Sequence, residues 1–381
     1  MLSRKGKRTS CKVHLPVLPV YFFTGKTGRE NVKLSFVYFI EEATWYLREM
    51  FARYICFVFC MFWLSQQDVF AQYEVTTANG DTLPNARFYL KGEGHEYMEE
   101  NARALMALLE YTYEHKNVRY LVIEAGPDQA YLANYYLKNG SDSFPADNFL
   151  YMRDAFWKKL YDFNSRLPSD KKIKVYGFDF NRYVHTSRAL KLMFKNDPRV
   201  SDPELRRYLF KIMDWDTQSW DASLQENFAK DLALLRPISA HYADELKKLL
   251  GDDYGVYVAI IENKTPMTSH VKRDKQMTPQ FLDSLPAMDK GNILFNYGVA
   301  HTALDGYGFA ERLNSDKRFR GTICSIFPYY IKTDKPPALQ TIESKIPPSV
   351  RQSAERAPAF SLIAVDLSSK FQRAAWLFVH R

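Results

Sequence analysis

The chain has little cysteine and lacks the short motifs of several large enzyme classes. Of four cysteines in 381 residues, only Cys324 lies beyond residue 71. Neither a disulfide framework nor a C-x-x-C zinc or redox pair is therefore expected there. The sequence has no G-x-S-x-G elbow, and no G-x-G-x-x-G or Walker loop follows a predicted strand. These absences argue against a serine hydrolase and against a nucleotide-binding protein.

Positive charge is concentrated near the N-terminus. The formal net charge is +8, but 10 of the 52 basic and 5 of the 44 acidic residues lie within the first 71 positions, which leaves about +3 for the remainder. A strongly basic domain is typical of proteins that bind nucleic acid or anionic lipid. Because the excess lies in a leader, we expect no nucleic-acid partner.

An uncharged apolar run at residues 54–64 follows Arg53 and precedes Val69-Phe70-Ala71. This order is typical of a cleavable secretory signal peptide. The run is about half of the roughly 20 residues that span a bilayer, so no stable membrane span is expected. We predict a signal peptide at 50–71, a secreted or periplasmic chain starting at Gln72, and an upstream over-read at 1–49.

Apolar, β-branched runs alternate with amphipathic stretches after residue 72, which predicts one α/β domain at 72–381 with a mixed, mostly parallel sheet flanked by helices. The region from about 182 to 280 has helical spacing and is predicted to be a helical insertion. A Pro-rich segment at 334–348 is predicted to be a surface loop. The predicted strands are 87–91, 118–124, 173–180, 292–297, 321–327 and 360–365, with helices at 96–115 and 129–138.

Two strand-to-helix turns have the same G-x-x-H pattern: Gly92-Glu93-Gly94-His95 and, 206 positions later, Gly298-Val299-Ala300-His301. Glycine permits a tight turn and a close backbone approach. Open α/β sheets bind ligands at the carboxyl ends of their strands. If the two strands are neighbours, His95 and His301 will converge on one cleft.

Carboxylates end two further strands, Glu124 after Tyr120–Ile123 and Asp179 after Val175–Phe178. Together with Glu93 and the two imidazoles they support two kinds of chemistry. They can ligate a divalent transition metal that activates water, with His95, Glu124 and His301 as ligands. They can instead form a metal-free acid–base set. Structural roles, such as ion pairs with nearby arginines, are the alternative for each carboxylate taken singly.

These motifs resemble the superfamily of erythromycin esterases, ChaN-like haem-binding lipoproteins and Tiki/TraB metalloprotease-like proteins. The resemblance spans roughly Phe88 to Leu313. It rests on the two G-x-x-H turns and on Leu121–Gly126, Tyr176–Asp179 and Arg273–Met277. Erythromycin esterases usually carry one more residue between the first Glu and His, and an asparagine where this chain has Gly298, so macrolide hydrolysis is not inferred.

The resemblance implies a role for each residue. His95 would be the general base or a metal ligand, Glu93 and Glu124 would orient it or share the metal, and His301 would be the second imidazole. Arg273 would stabilise an oxyanion, a task that suits a fixed guanidinium.

Three functions remain open at this stage. One is a secreted hydrolase that cleaves an ester, lactone or amide of a small-molecule or peptide substrate. Another is a protein that binds haem or another ligand without turnover, with tyrosine or histidine on the iron. The third is a degenerate family member that acts only within an assembly. The remaining histidines, His115, His185, His241 and His270, are assigned structural roles, and His185, near Asp179, is the first alternative candidate for the site among them.

Overall fold

The computed structural model describes residues 50–51, 53–54, 75–77, 82–140, 154–217, 221–265, 269–306, 308–331, 335–365 and 376–380. The chain divides into two units, Met1–Ala71 and Gln72–Arg381, and the sheet belongs to the second. The predicted over-read and almost all of the predicted signal peptide lie outside the described residues. Those two predictions therefore stay predictions.

The described part of the second unit contains an eight-stranded sheet. Its strands are β1 Thr76–Thr77, β2 Phe88–Glu93, β3 Val118–Ile123, β4 Lys174–Gly177, β5 Asn292–Gly298, β6 Ile323–Tyr330, β7 Ser361–Ala364 and β8 Trp376–His380. Their order across the sheet is β1-β7-β8-β6-β2-β5-β3-β4. Every neighbouring pair is parallel except β7 and β8, which are antiparallel. The predicted fold class is confirmed.

Helices cover both faces of the sheet, which explains why its central strands are mostly apolar. Alternate residues of β5 enter different cores, with Leu294 on one face and Phe295 on the other. A parallel sheet buried on both faces requires this composition. The helices are α1 Met98–Lys116, α2 Pro127–Asn139, α3 Asp154–Ser165, α4 Tyr183–Met193, α5 Pro203–Met213, α6 Ala222–His241, α7 Ala243–Leu250, α8 Tyr254–Glu262, α9 His270–Ser284, α10 Val299–Thr302, α11 Phe309–Ser315, α12 Pro337–Glu343 and α13 Pro348–Arg356.

The predicted helical insertion is α4 to α9, between β4 and β5. Its last helix, α9, buries Asp274, Met277 and Phe281 along one face at helical spacing. Phe281 makes edge-to-face contacts with Phe88 and Phe295 of the sheet, at centroid distances of 5.7 and 5.3 Å. Each such pair contributes about 0.5–1.5 kcal/mol beyond its buried area. This aromatic contact fixes α9 against the sheet.

The structure corrects three details of the sequence prediction. The segment 334–348 was expected to be a loop but contains α12, which begins with Pro337 at its first position, where proline is favoured. The strand β8 was not expected. Strand β2 extends through Glu93, so this residue ends a strand instead of lying in the turn.

The register of the strands aligns the carboxyl ends of four neighbours. Glu93 at the end of β2 pairs with Gly298 at the end of β5. Ile123, the last residue of β3, pairs with Asn296 on one side and with Gly177, the last residue of β4, on the other. The polar residues that follow these strands are therefore delivered to one edge of the sheet.

Candidate active site

Glu124 is the central acceptor of this edge. One carboxylate oxygen, Oε2, accepts the backbone N–H of Gly298 at 2.6 Å. The other, Oε1, accepts Nη2 of Arg273 at 3.0 Å and lies 3.4 Å from Nε2 of His301. Burial alone would raise the pKa of Glu124, but the bonds from His301, Gly298 and Arg273 outweigh it and hold the pKa well below its usual value. Glu124 is therefore ionised throughout the physiological range.

Arg273 reaches the site from α9 and joins two carboxylates. Its Nη1 donates to Oδ2 of Asp179 at 2.6 Å, while Nη2 donates to Oε1 of Glu124 at 3.0 Å. The guanidinium carbon lies 5.8 Å from the centre of the Phe180 ring, within the range of a cation–π contact. The side chain is only 16% exposed, so the guanidinium is held in one orientation. Burial raises the pKa of Asp179 to about 6, and Arg273 opposes the rise.

His301 lies between an acidic and a basic partner. Its Nδ1 is 2.6 Å from Oδ1 of Asp274, and its Nε2 is 2.9 Å from Nη2 of Arg273. Because a guanidinium only donates, the contact with Arg273 requires a neutral ring with its proton on Nδ1. The protonated ring would instead donate Nε2–H to Glu124.

The charges around His301 favour the second form. Burial alone would lower the pKa of His301, but the hydrogen bonds to Asp274 and Glu124 raise it to about 9. Neutral and protonated rings thus have different partners on the same nitrogen. A change of protonation at His301 moves its Nε2 contact between Arg273 and Glu124.

His95 lies at the open side of the cluster, with its side chain 57% exposed. Its Nδ1 is 3.9 Å from Oε1 of the fully buried Glu93. A Cβ atom on Gly298 would lie 3.1 Å from His95 Nε2 and 3.1 Å from Glu124 Oε2. The imidazole therefore has the Glu93 carboxylate near Nδ1, and the lack of a side chain at Gly298 makes room for the ring.

All six residues predicted for the site, Glu93, His95, Glu124, Asp179, Arg273 and His301, lie at this edge of the sheet. His95 and Glu124 both adjoin Gly298, and His301 lies 3.4 Å from Glu124, so the two G-x-x-H turns converge on one place. His270, which was assigned a structural role, has its ring 6.0 Å from that of His301. His185, also assigned a structural role, is buried within α4.

Sequence reasoning missed three neighbours of these residues. Asp274 follows Arg273 and orients His301. Asn296 donates to Oε2 of Glu93, and its polarity inside the apolar run 293–297 was a signal. The Tyr297 ring packs 5.7 Å from that of His301, and burial, followed by nearby carboxylates, raises its pKa well above the usual value. Its phenol therefore stays protonated.

The ligand set suggested for a metal, His95, Glu124 and His301, is poorly suited to one. Both nitrogens of His301 are occupied by Asp274 and Arg273, and a guanidinium beside Nε2 repels a cation. Among the described residues, no group of three or more His, Cys, Asp or Glu side chains is arranged to hold a metal ion. The chemistry is therefore derived from the side chains alone.

Comparisons with known proteins find similarity in structure. No protein-family model matches the chain, and no curated protein matches it significantly. Among solved structures, a Bacillus cereus protein matches with a TM-score of 0.45 at 14% identity, over 65% of this chain and 66% of that one. An erythromycin esterase matches with a TM-score of 0.45 at 15% identity, over 65% of this chain and 70% of that one. ChaN of Campylobacter jejuni, which binds haem, matches with a TM-score of 0.32 at 15% identity, over 78% of this chain and 88% of that one.

Two of the groups that the sequence motifs resemble are thus among these matches, and the likeness concerns the fold alone. The match spans just under two thirds of the Bacillus cereus protein. In the part of the chain that the structure describes, no helix is both long enough and apolar enough to cross a bilayer.

Proposed function

We propose that this protein is a hydrolase that activates water with His95 and cleaves an ester, lactone or amide in a small-molecule or peptide substrate. The observation that supports this most directly is the position of His95. Its ring is exposed to solvent and lies beside a network of buried charges that ends in a fixed guanidinium. A candidate base and a candidate oxyanion stabiliser are thereby both delivered to one edge of the sheet.

His95 is the group able to take a proton from water. Glu93 faces Nδ1 at 3.9 Å, a separation that is common before substrate binds and that can tighten afterwards. With Nδ1 turned to this carboxylate, Nε2 is the basic nitrogen. A general base in this position contributes about 10²- to 10⁴-fold to the rate.

Arg273 would stabilise the negative charge that develops on the carbonyl oxygen. Its contacts with Asp179 and Glu124 fix the guanidinium before substrate arrives, so little reorganisation is needed during the reaction. Protonated His301, which its raised pKa of about 9 favours, would donate Nε2–H to Glu124 and add positive charge at this edge, which favours an oxyanion.

The test uses the full-length protein on a panel of p-nitrophenyl esters, lactones and peptide amides. We expect His95→Ala to lower kcat by about 10²- to 10⁴-fold with an unchanged melting temperature, because the side chain is mostly exposed. His115→Ala, which removes an exposed histidine at the end of α1, is the control and should retain the full rate.

Two outcomes would contradict the proposal. One is a His95→Ala protein that hydrolyses the best substrate as fast as the wild type. The other is a protein that turns over no member of the panel but gives a Soret band with haem that is lost in His95→Ala. The second result would favour ligand binding without turnover.

A further inference from the structure

Lys91 is a fully buried cation close to the proposed site. It lies on β2 two residues before Glu93, so both side chains leave the strand on the same face. Its Nζ donates to Oδ1 of Asn296 at 2.9 Å and to the carbonyl oxygen of Gly92 at 3.4 Å. Burying an ammonium group costs several kcal/mol unless it is compensated, so a lysine at this position needs an explanation.

Asn296 connects this lysine to Glu93. It stands opposite Lys91 in the register of β2 and β5, with its oxygen towards Lys91 and its Nδ2 donating to Oε2 of Glu93. Because an ammonium group only donates, Lys91 fixes which way the amide is turned. With the amide reversed, its NH₂ group would face the ammonium group of Lys91, and its oxygen would face the carboxylate of Glu93.

Glu93 supplies the charge that balances Lys91. Burial lowers the pKa of Lys91 to about 8, and Glu93 opposes the fall. Burial raises the pKa of Glu93, and Lys91 and then Asn296 oppose that rise. The charged form of the lysine and the charged form of the glutamate therefore stabilise each other.

Two other titratable groups face this pair from β8 and β6. His380 is fully buried, and burial, then the charges of Lys91 and Arg103, lowers its pKa well below the usual value. Burial raises the pKa of Tyr330 well above the usual value. Both stay neutral, so they leave the balance between Lys91 and Glu93 unchanged.

The second oxygen of Glu93 faces the site. Asn296 holds Oε2, and Oε1 lies 3.9 Å from Nδ1 of His95. Within the described residues this buried Oε1 has no hydrogen-bond partner. A contiguous series therefore runs from Lys91 through Asn296 and Glu93 to the exposed imidazole.

We propose that Lys91 is a positioning residue that acts through Asn296 to keep Glu93 ionised and aimed at His95, which fixes the proton of that ring on Nδ1. The effect on the ring is independent of the proposed function, and only its consequence for catalysis rests on that function. The carboxylate accepts Nδ1–H, and Nε2 is left as the base.

The primary test is the tautomer of His95, read from long-range ¹H–¹⁵N correlations of the full-length protein carrying ¹⁵N-labelled histidine. His95→Ala assigns the signal. We expect the Nδ1–H pattern in the wild type and its loss in Lys91→Met, Glu93→Gln and Asn296→Leu. Lys174→Met, which removes an exposed lysine from β4, should keep the wild-type pattern.

The kinetics of Lys91→Met separate positioning from a purely structural role. Removing one partner of a buried ion pair leaves the other charge uncompensated and destabilises the fold, so the melting temperature should fall, and in the protein that remains folded kcat should fall about 10- to 100-fold at unchanged KM. In a Glu93→Gln background, Lys91→Met should cause no further loss of kcat, since both substitutions interrupt the same series of contacts.

A folded Lys91→Met protein whose His95 keeps the Nδ1–H tautomer would overturn the inference, whatever its activity. If Lys91→Met fails to fold, Asn296→Leu tests the same series, and an unchanged tautomer there is equally decisive. A changed tautomer in a protein without hydrolytic activity would support this inference and contradict the proposed function alone.

Discussion

Replacing Gly298 with alanine is expected to displace His95 without unfolding the protein. The backbone at Gly298 has φ −50° and ψ 141°, which alanine adopts freely. A Cβ there would lie 3.1 Å from Glu124 Oε2 and from His95 Nε2. Non-bonded heavy atoms prefer about 3.5–4.0 Å, so a neighbour must move by about half an ångström.

His95 is the neighbour that should move. Glu124 is buried and held by the Gly298 N–H and by Arg273, whereas the His95 side chain is 57% exposed. A misplacement of about 1 Å can lower a rate about 100-fold. Half of that displacement predicts a kcat about tenfold lower, with a change in the free energy of unfolding below about 1 kcal/mol.

The assay compares kcat on the best substrate with urea denaturation of the same samples. The matched control is Gly255→Ala on α8, where an added Cβ meets nothing within 4 Å. It should retain the full rate and gain about 0.5–1 kcal/mol of stability. A Gly298→Ala protein with wild-type kcat would refute the reasoning. A loss of several kcal/mol in stability would show that Glu124, and not His95, had moved.

Two further predictions concern the buried charges. Arg273→Lys keeps the charge but loses the planar guanidinium that joins two carboxylates. We therefore expect kcat to fall about 100-fold and the free energy of unfolding to fall by about 1.5–3 kcal/mol. Arg207→Lys, at an exposed position, is the control, and an Arg273→Lys protein with unchanged kcat and stability would contradict this prediction. The pKa of His301 is raised to about 9, so protonated His301 adds to the free energy of unfolding. This contribution, about 3 kcal/mol at most, is fully present below about pH 6.5 and is lost as the pH rises through about 9. The pKa of Lys91 is lowered to about 8, so above that pH the contribution of Lys91 to the free energy of unfolding rises with pH. The test is therefore the difference in urea midpoint between wild type and His301→Gln from pH 6.5 to 9.5, and a constant difference would show that His301 does not titrate there.

The sequence was informative for those candidate-site residues that stand at the carboxyl ends of strands. Glu124 and Asp179 were found because a carboxylate directly after an apolar run lies at the end of a buried strand. His95 and His301 were found because glycine turns precede them. Their convergence depended on β2 and β5 being neighbours, which the pattern of the two turns suggested and the strand order bears out.

The residues behind the site were harder to find, because their partners depend on register. Lys91 and Asn296 are far apart along the chain, and only the pairing of β2 with β5 places them opposite each other. Local spacing cannot supply that pairing. The helix α12 was missed for a different reason, since the prolines at its start were interpreted as a loop signal when they also mark a first helical turn.

The guanidinium that balances this edge of the sheet belongs to the helical insertion, whereas the acidic groups it neutralises belong to the sheet itself. In a chimera in which another helical segment replaces α4 to α9, two buried carboxylates would therefore lose their cation. The new segment would have to supply a cation at the same place. The charge balance of the candidate site thus depends on this stretch of polypeptide, so any graft that replaces it must also restore the cation.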